Sequence, residues 1–282
     1  MSLFDHPQVL RHAVLRKGLA FAWRPVSVLE RLVQSDAAYR NRPPVIANAL
    51  PKSGTHLLLQ ITRALPEARY RGNFIATQPS LTLQPRSPAQ IARRLRALLP
   101  AETLGAHILP CATVRAAMDR VNALHLFICR DPRDVLMSEV FYLTQMNRWH
   151  RMHKHFKALP DNAARLTLAL DGLDARYLEC NARFLPYAGW LGDPATLCLR
   201  YEDLSGPAQK STLERLVEAY RAHGGAVNND LLARLQTAVQ PEKSHTFRRG
   251  GSGHWSHGLS GTGIDRINTR LAPSLQAFGY AV

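Results

Sequence analysis

No stretch of the chain stays apolar for the roughly 18 residues that a membrane-spanning helix needs. The N-terminus is basic, but its apolar core, Gly18 to Trp23, is short and is closed by Arg24-Pro25, which does not suit a signal peptide. The four cysteines, at 111, 129, 180 and 198, show no C-x-x-C spacing. Cys129 and Cys198 lie inside apolar runs and read as buried free thiols rather than disulfide or metal partners, and a reducing cytoplasm fits that usage. Zinc-finger spacing, an aromatic RNA-binding motif and a lysine-rich tail are also missing, which argues against nucleic acid. Neither an internal repeat nor a long linker divides the chain. It is expected to form a single domain over 1–282, with residues 1–42 as a helical extension packed on it.

Negative charge is scarce too. Across 282 residues, 21 Asp and Glu stand against 36 Lys and Arg, a formal net charge of +15. Such a balance favours an anionic partner: nucleic acid, a membrane surface or a small molecule. Residues 86–120 alone carry six arginines (86, 93, 94, 96, 115 and 120) against Glu102 and Asp119. They read either as solvated helix faces or as part of an anion site. Apolar residues make up 46% of the chain, enough for a packed globular core.

Periodicity orders the elements. Residues 8–40 read as two helices split at Arg24-Pro25. A strand at about 44–50 leads into a helix from about Gly54 to Leu65, and 66–87 reads as loop. Ser87-Pro88 opens a helix with a capping hydroxyl and a proline at the first helical position. A short strand near 104–109 and a helix near 112–121 follow. Leu124 to Cys129 is a strong strand, followed by helix to about Thr144 and more helix from 146 to about 188. Thr196 to Leu199 is another strand. Helices around 213–220 and 231–239, a glycine-rich stretch from Ser244 to Thr262 and a last helix at about 264–278 complete the chain. Short apolar strands alternating with amphipathic helices predict an α/β fold, a parallel sheet flanked by helices on both faces. In such sheets ligands bind beyond the carboxyl ends of the strands.

Three strand ends carry chemistry. Pro51-Lys52-Ser53-Gly54-Thr55 follows the first strand and feeds a helix. Glycine lets the backbone approach an anion, free amides at the helix start point at it, and Lys52, Ser53 and Thr55 add donors. The nucleoside-triphosphatase loop G-x-x-x-x-G-K-[ST] is not matched, because here the lysine precedes the glycine. Arg130 ends the second strong strand, with Ser138 two helical turns on. Tyr201-Glu202-Asp203 ends the third. Further along, Arg248-Arg249-Gly250 sets two guanidinium groups beside glycines, and arginine forks suit phosphate oxygens.

These segments, in this order, resemble the cytosolic-type sulfotransferases that use 3′-phosphoadenosine 5′-phosphosulfate (PAPS). Residues 51–55 are similar to that family's P-K-S-G-T-T-W loop, and 130–138 to its R-[ND]-P-x-D-x-x-x-S segment. Residues 248–255 are similar to its R-K-G-x-x-G-D-W element, and 201–203 stand at its Y-E-D. The resemblance covers about 43–280. It implies a P-loop-like three-layer sandwich and PAPS as co-substrate, with no metal. It also implies roles: Lys52, Ser53, Gly54 and Thr55 hold the 5′-phosphosulfate, Arg130 and Ser138 the 3′-phosphate, and Arg248, Arg249 and Gly250 close over it. Tyr201 lies near the adenine. His56 replaces the family's second threonine and is a candidate phosphate contact, Leu57 replaces its tryptophan, and His254 its aspartate.

The chemistry implied is in-line sulfuryl transfer to an acceptor hydroxyl or amine, with Lys52 offsetting charge on the leaving phosphate. Gly105-Ala106-His107-Ile108-Leu109-Pro110 resembles the family's T-H-L-P, which makes His107 the expected base; His56 is its rival. His150, His153 and His155 sit among Arg148, Arg151, Lys154 and Lys157. They read as a solvated basic helix rather than a metal site. The resemblance leaves the acceptor open among carbohydrates, glycolipids, phenols, steroids and peptide tyrosines, and places its contacts in 68–88 and 141–160. A PAPS-binding protein without turnover and a nucleotide kinase of related fold are the alternatives. Residues 5–23 read as a core-packing helix, with peripheral membrane contact as the other option.

Overall fold

The structure, a computed structural model, describes residues 3–6, 8–9, 12–240, 253–257 and 259–282. Three helices lead in: α1 (Ala13–Ala22), α2 (Arg24–Leu32) and α3 (Asp36–Asn41). Then come β1 (Val45–Ala49), α4 (Thr55–Arg63), β2 (Arg69–Ala76), α5 (Pro88–Leu95), β3 (Glu102–His107), α6 (Ala112–Asp119) and β4 (Leu124–Cys129). The helix α7 (Pro132–Phe141) continues into a π-turn, Tyr142–Met146. After it run α8 (His153–Ala158), α9 (Asn162–Asp171), α10 (Cys180–Ala188), β5 (Thr196–Arg200), α11 (Tyr201–Ser205), α12 (Gln209–Ala222), α13 (Leu231–Ala238) and α14 (Gly261–Phe278).

The five strands form one sheet in the order β2-β3-β1-β4-β5, and every neighbouring pair is parallel. Side chains alternate across the sheet. Ile46, Leu104 and Phe127 face one core with Leu95 of α5, Met118 of α6, Leu136 of α7 and Leu271 of α14. Val45, Ala47 and Leu126 face a second core with Leu58 and Ile61 of α4, Leu216 of α12 and Leu235 of α13. Helices therefore cover both faces, and this is the three-layer α/β arrangement expected from the sequence. At α5 the cap is complete: the Ser87 hydroxyl accepts the Gln90 N–H while the Gln90 side chain accepts the Ser87 N–H. All four cysteines carry free thiols; Cys129 and Cys180 are buried, Cys111 and Cys198 half-buried.

Three readings of the sequence are corrected. The stretch 66–87 is not all loop, because β2 lies within it on the sheet edge. Its apolar alternation is broken by Arg69, Arg71, Gly72 and Asn73, and its register against β3 shifts between Tyr70 and Phe74. Neighbours supply partners for the polar residues: Arg71 pairs with Glu30 of α2, and Asn73 donates to the buried Glu102 at 2.7 Å. The helix expected over 146–188 is three helices, α8, α9 and α10. The N-terminal stretch ends in a third helix, α3, whose N-cap Ser35 accepts the Ala38 N–H.

One polar residue inside the sheet fixes the geometry of the strand ends. Asn48, fully buried in β1, donates to the Ile108 carbonyl at 3.1 Å and accepts the Ile108 N–H at 2.9 Å. The same carbonyl receives the Trp190 indole N–H at 2.8 Å. Asn48 thus ties the exit of β3, where His107 sits, to the exit of β1. Replacing it by alanine strands the buried Ile108 N–H. Asn48→Ala is expected to lower unfolding free energy by about 1–3 kcal/mol, measured by denaturant titration.

Candidate active site

Beyond Ala49 the chain turns sharply. The Leu50 N–H donates to the Ile128 carbonyl of β4 at 3.1 Å, and the Ser53 N–H closes back on the Leu50 carbonyl at 3.0 Å. Lys52 takes φ 71° and Gly54 φ 104°, both in the left-handed region. Gly54 is also required for space, since a Cβ there would lie 2.6 Å from Cδ2 of Tyr201. The first hydrogen bond within α4 runs from the Leu58 N–H to the Gly54 carbonyl at 3.0 Å. The amides of Thr55, His56 and Leu57 therefore lack helical acceptors and present positive dipole ends. Beside them the Ser53 hydroxyl is fully buried with no hydrogen-bond partner. An unsatisfied buried hydroxyl at a helix start with free amides is a donor set that fits an anion.

Lys52 stands over this turn with its ammonium 3.9 Å from the centre of the Tyr142 ring. Burial lowers its pKa to about 8; Arg130 pushes the same way, and Glu139 partly opposes both. Arg130, from the end of β4, lies 4.5 Å over the ring of Tyr201 and 3.4 Å from the Asp134 carboxylate. Asp134 also accepts the N–H of Gly253 at 3.0 Å, where the described chain resumes. Trp255, next along, sits under the Arg133 guanidinium at 4.7 Å. Glu202 accepts the Asp131 N–H at 3.1 Å and the Tyr280 hydroxyl at 2.9 Å, which fastens the ends of β4 and β5 together. Burial raises the Tyr201 phenol above its ordinary value, so it stays protonated.

His107 closes β3 on the other side of β1. Its Nδ1 is 2.8 Å from the Ala49 carbonyl, which can only accept, so Nδ1 carries the proton and Nε2 is left with its lone pair. The Phe74 ring meets the imidazole edge-on at 5.0 Å. Burial lowers the His107 pKa to about 4 against the supporting Ala49 hydrogen bond, and the nearby Lys52 charge lowers it further. At neutral pH it is a neutral imidazole with an available acceptor nitrogen.

A cleft of about 1700 Å³ joins these groups. Lys52, Gly54, Thr55, His56, His107, Arg130, Ser138 and Tyr201 all line it. It exceeds the ~300–1,000 Å³ of a single small-ligand pocket, which leaves space for two molecules. Arg248, Arg249 and Gly250 lie outside the described residues. Among the described residues no group of three or more His, Cys, Asp or Glu could hold a metal ion.

The histidines near 150 are not a freely solvated face. His150 borders the cleft, its Nδ1 accepts the Met152 N–H at 3.1 Å, and burial lowers its pKa to about 4. His153 donates from Nδ1 to the Leu143 carbonyl at 2.7 Å. Sequence reading also missed Tyr142, Asn48, and Glu139 with its buried partner Arg183. Only Asn48 gave a signal: a lone amide inside the apolar run Val45–Ala49.

No protein-family model matches the chain, and no curated protein does. Solved structures do. Mouse sulfotransferase SULT7A1 complexed with PAP superposes with a TM-score of 0.60 at 17% identity, over 84% of this chain and 89% of that one. Retinol dehydratase in a complex with retinol and PAP gives 0.53 at 16% identity, over 85% and 84%. The chain therefore has the sulfotransferase fold.

Proposed function

We propose that the protein is a PAPS-dependent sulfotransferase that transfers a sulfuryl group to an acceptor hydroxyl or amine. One observation carries this reading. A single cleft brings together an anion cradle with an unsatisfied hydroxyl, a desolvated lysine, and an imidazole whose free nitrogen is set by a backbone carbonyl. The same fold in proteins solved with PAP, the bisphosphate that PAPS leaves behind, supports it.

The roles follow from the chemistry of the side chains. PAPS supplies the sulfuryl group. The amides at the start of α4, with Ser53 and Thr55, receive the 5′ end, and Arg130 and Ser138 the 3′-phosphate. His56, at the second position of α4, is a further contact for the 5′ end. Arg248, Arg249 and Gly250 would complete the 3′ side as the family pattern implies. As the acceptor oxygen bonds to sulfur, its proton passes to Nε2 of His107. The bond from sulfur to the phosphate oxygen breaks, and Lys52 balances the charge left on that oxygen. Its position above Tyr142 and its low pKa make it a poorly hydrated cation, whose interaction with new charge is strong.

Loss of each group should separate binding from transfer. Lys52→Ala is expected to lower turnover about 10²–10³-fold with a smaller change in donor affinity. For His107→Ala the expected loss is about 10²–10⁴-fold with adenosine 3′,5′-bisphosphate still bound, whereas His56→Ala should mainly weaken the donor. Single-turnover assays with labelled PAPS, alongside calorimetric titration of the bisphosphate, distinguish these patterns. An active His107→Ala enzyme would move the base elsewhere.

The pH dependence of kcat/KM reports the free enzyme. A base must be deprotonated, and the depressed His107 pKa places the acidic limb near pH 4. Lys52 must be charged, so activity should fall as pH rises through about 8. An acidic limb at the ordinary histidine value, near 6.5, would contradict the assignment of His107.

Recognition of the 3′-phosphate is testable without an acceptor. Adenosine 3′,5′-bisphosphate should raise the melting temperature well beyond AMP, since charge-assisted hydrogen bonds contribute about 1.5–3 kcal/mol each. Equal shifts would remove Arg130, Ser138, Arg248 and Arg249 from the donor site.

A further inference from the structure

The helix α2 is mounted inside out. The residues turned toward the protein are Trp23, Ser27, Glu30 and Gln34, at helical spacing, and each is only half-buried. Two of them bind the edge strand: Arg71 of β2 donates to the Ser27 hydroxyl at 3.3 Å and pairs with Glu30. Gln34 turns back to the Glu30 carbonyl at 3.1 Å. The opposite face is apolar and open to solvent. Phe21, Val28, Leu29, Leu32 and Val33 are 67%, 61%, 66%, 78% and 80% exposed. With Pro25 they form one ridge at positions 21, 25, 28, 29 and 32, the spacing of a helix face that is normally buried. No residue of α2 is buried. A helix that satisfies its polar side on the protein and offers its apolar side to water has a second apolar environment to fill.

The charge beside the ridge is of one sign. Arg24 and Arg31 project from α2 itself and are exposed. Arg24, Arg86 and Arg93 stand close enough to Arg94 to lower its pKa, after burial, by mutual repulsion. The nearby carboxylates are committed elsewhere: Glu30 faces inward to Arg71, and Asp36 lies 3.8 Å from Arg120. Two copies meeting on this face would bring the arginine clusters together without acids between them. A surface of anionic headgroups over an acyl layer satisfies both features.

We propose that the α2 ridge, Phe21 to Val33, docks the protein on an anionic lipid surface, with the apolar residues entering the headgroup boundary and Arg24, Arg31, Arg93 and Arg94 contacting phosphate. Phe21, Arg24, Arg86 and Arg94 also line the active-site cleft. The docked protein therefore presents the mouth of the cleft to the membrane. This holds whatever the cleft catalyses.

Co-sedimentation with vesicles of phosphatidylcholine plus phosphatidylglycerol, against phosphatidylcholine alone, tests it. The full chain should bind the anionic vesicles at least about tenfold more tightly, since each basic side chain near such a surface contributes a several-fold gain, and added salt should release it. Leu29→Glu/Leu32→Glu should abolish binding while leaving melting temperature and molar mass unchanged. Leu32→Ser, a milder change, should weaken it several-fold and covers the case in which the double variant fails to fold. Three results overturn the proposal: no preference of the full chain for the anionic vesicles; binding that both variants retain; or a dimer in light scattering that the Leu29/Leu32 variant converts to monomer, which would make a second copy the occupant.

Discussion

Parallel strands that are buried on both faces can meet water only at their ends, and all their carboxyl ends lie along one edge. Helices cover Val45 to Ala49 on both sides, so every polar function of β1, β3, β4 and β5 is pushed to that edge. The strand order places β1 at the centre, with the chain passing to β2 and β3 on one flank and to β4 and β5 on the other. The turn after β1 is thus bordered by His107 from one side and by Arg130 and Tyr201 from the other. The base, the cradle and the guanidinium converge because the topology permits no other arrangement.

Within that edge, electrostatics are set by dehydration more than by pairing. Lys52 and His107 are both moved toward their neutral forms, first by burial and then by neighbouring positive charge. Glu139 could have held Lys52 firmly cationic, but Arg183 occupies its carboxylate. The site is therefore short of negative charge, and a polyanionic ligand supplies what the protein withholds. An enzyme assembled this way has its highest affinity for the most charged form of its ligand.

Much of the site was legible because anion cradles are local. Pro51 to Thr55 must turn, expose amides and start a helix within a few residues, and those demands leave a readable string of residue types. Arg130 and Tyr201 were legible for a related reason: each directly follows an apolar strand. The edge strand β2 was not. Its stability comes from Glu30 and Glu102, distant in sequence, which pair with Arg71 and Asn73 and turn a polar stretch into sheet. The inverted face of α2 was hidden for the same reason, since amphipathic spacing gives the face but not the direction it points. The tie from Asn48 to Ile108 spans 60 residues and could be located only once both strands were side by side.

The π-turn after α7 has a consequence for how this chain could vary. There the Asn147 N–H reaches back five residues to the Tyr142 carbonyl, at 3.0 Å, so the turn holds one residue more than an α-turn would. Deleting one residue from Tyr142–Met146 would let the helix close regularly. It would also rotate everything beyond it by about 100° relative to α7. Tyr142 would remain under Lys52, while the His153 link to Leu143 and the cleft wall at His150 would swing to another bearing. The extra residue behaves as a phase setting between two halves of the cleft: the donor side is timed to β1, and the far wall is timed to the insertion. A one-residue change in length there could redirect the chain toward a different acceptor without touching a single group that handles the sulfuryl donor.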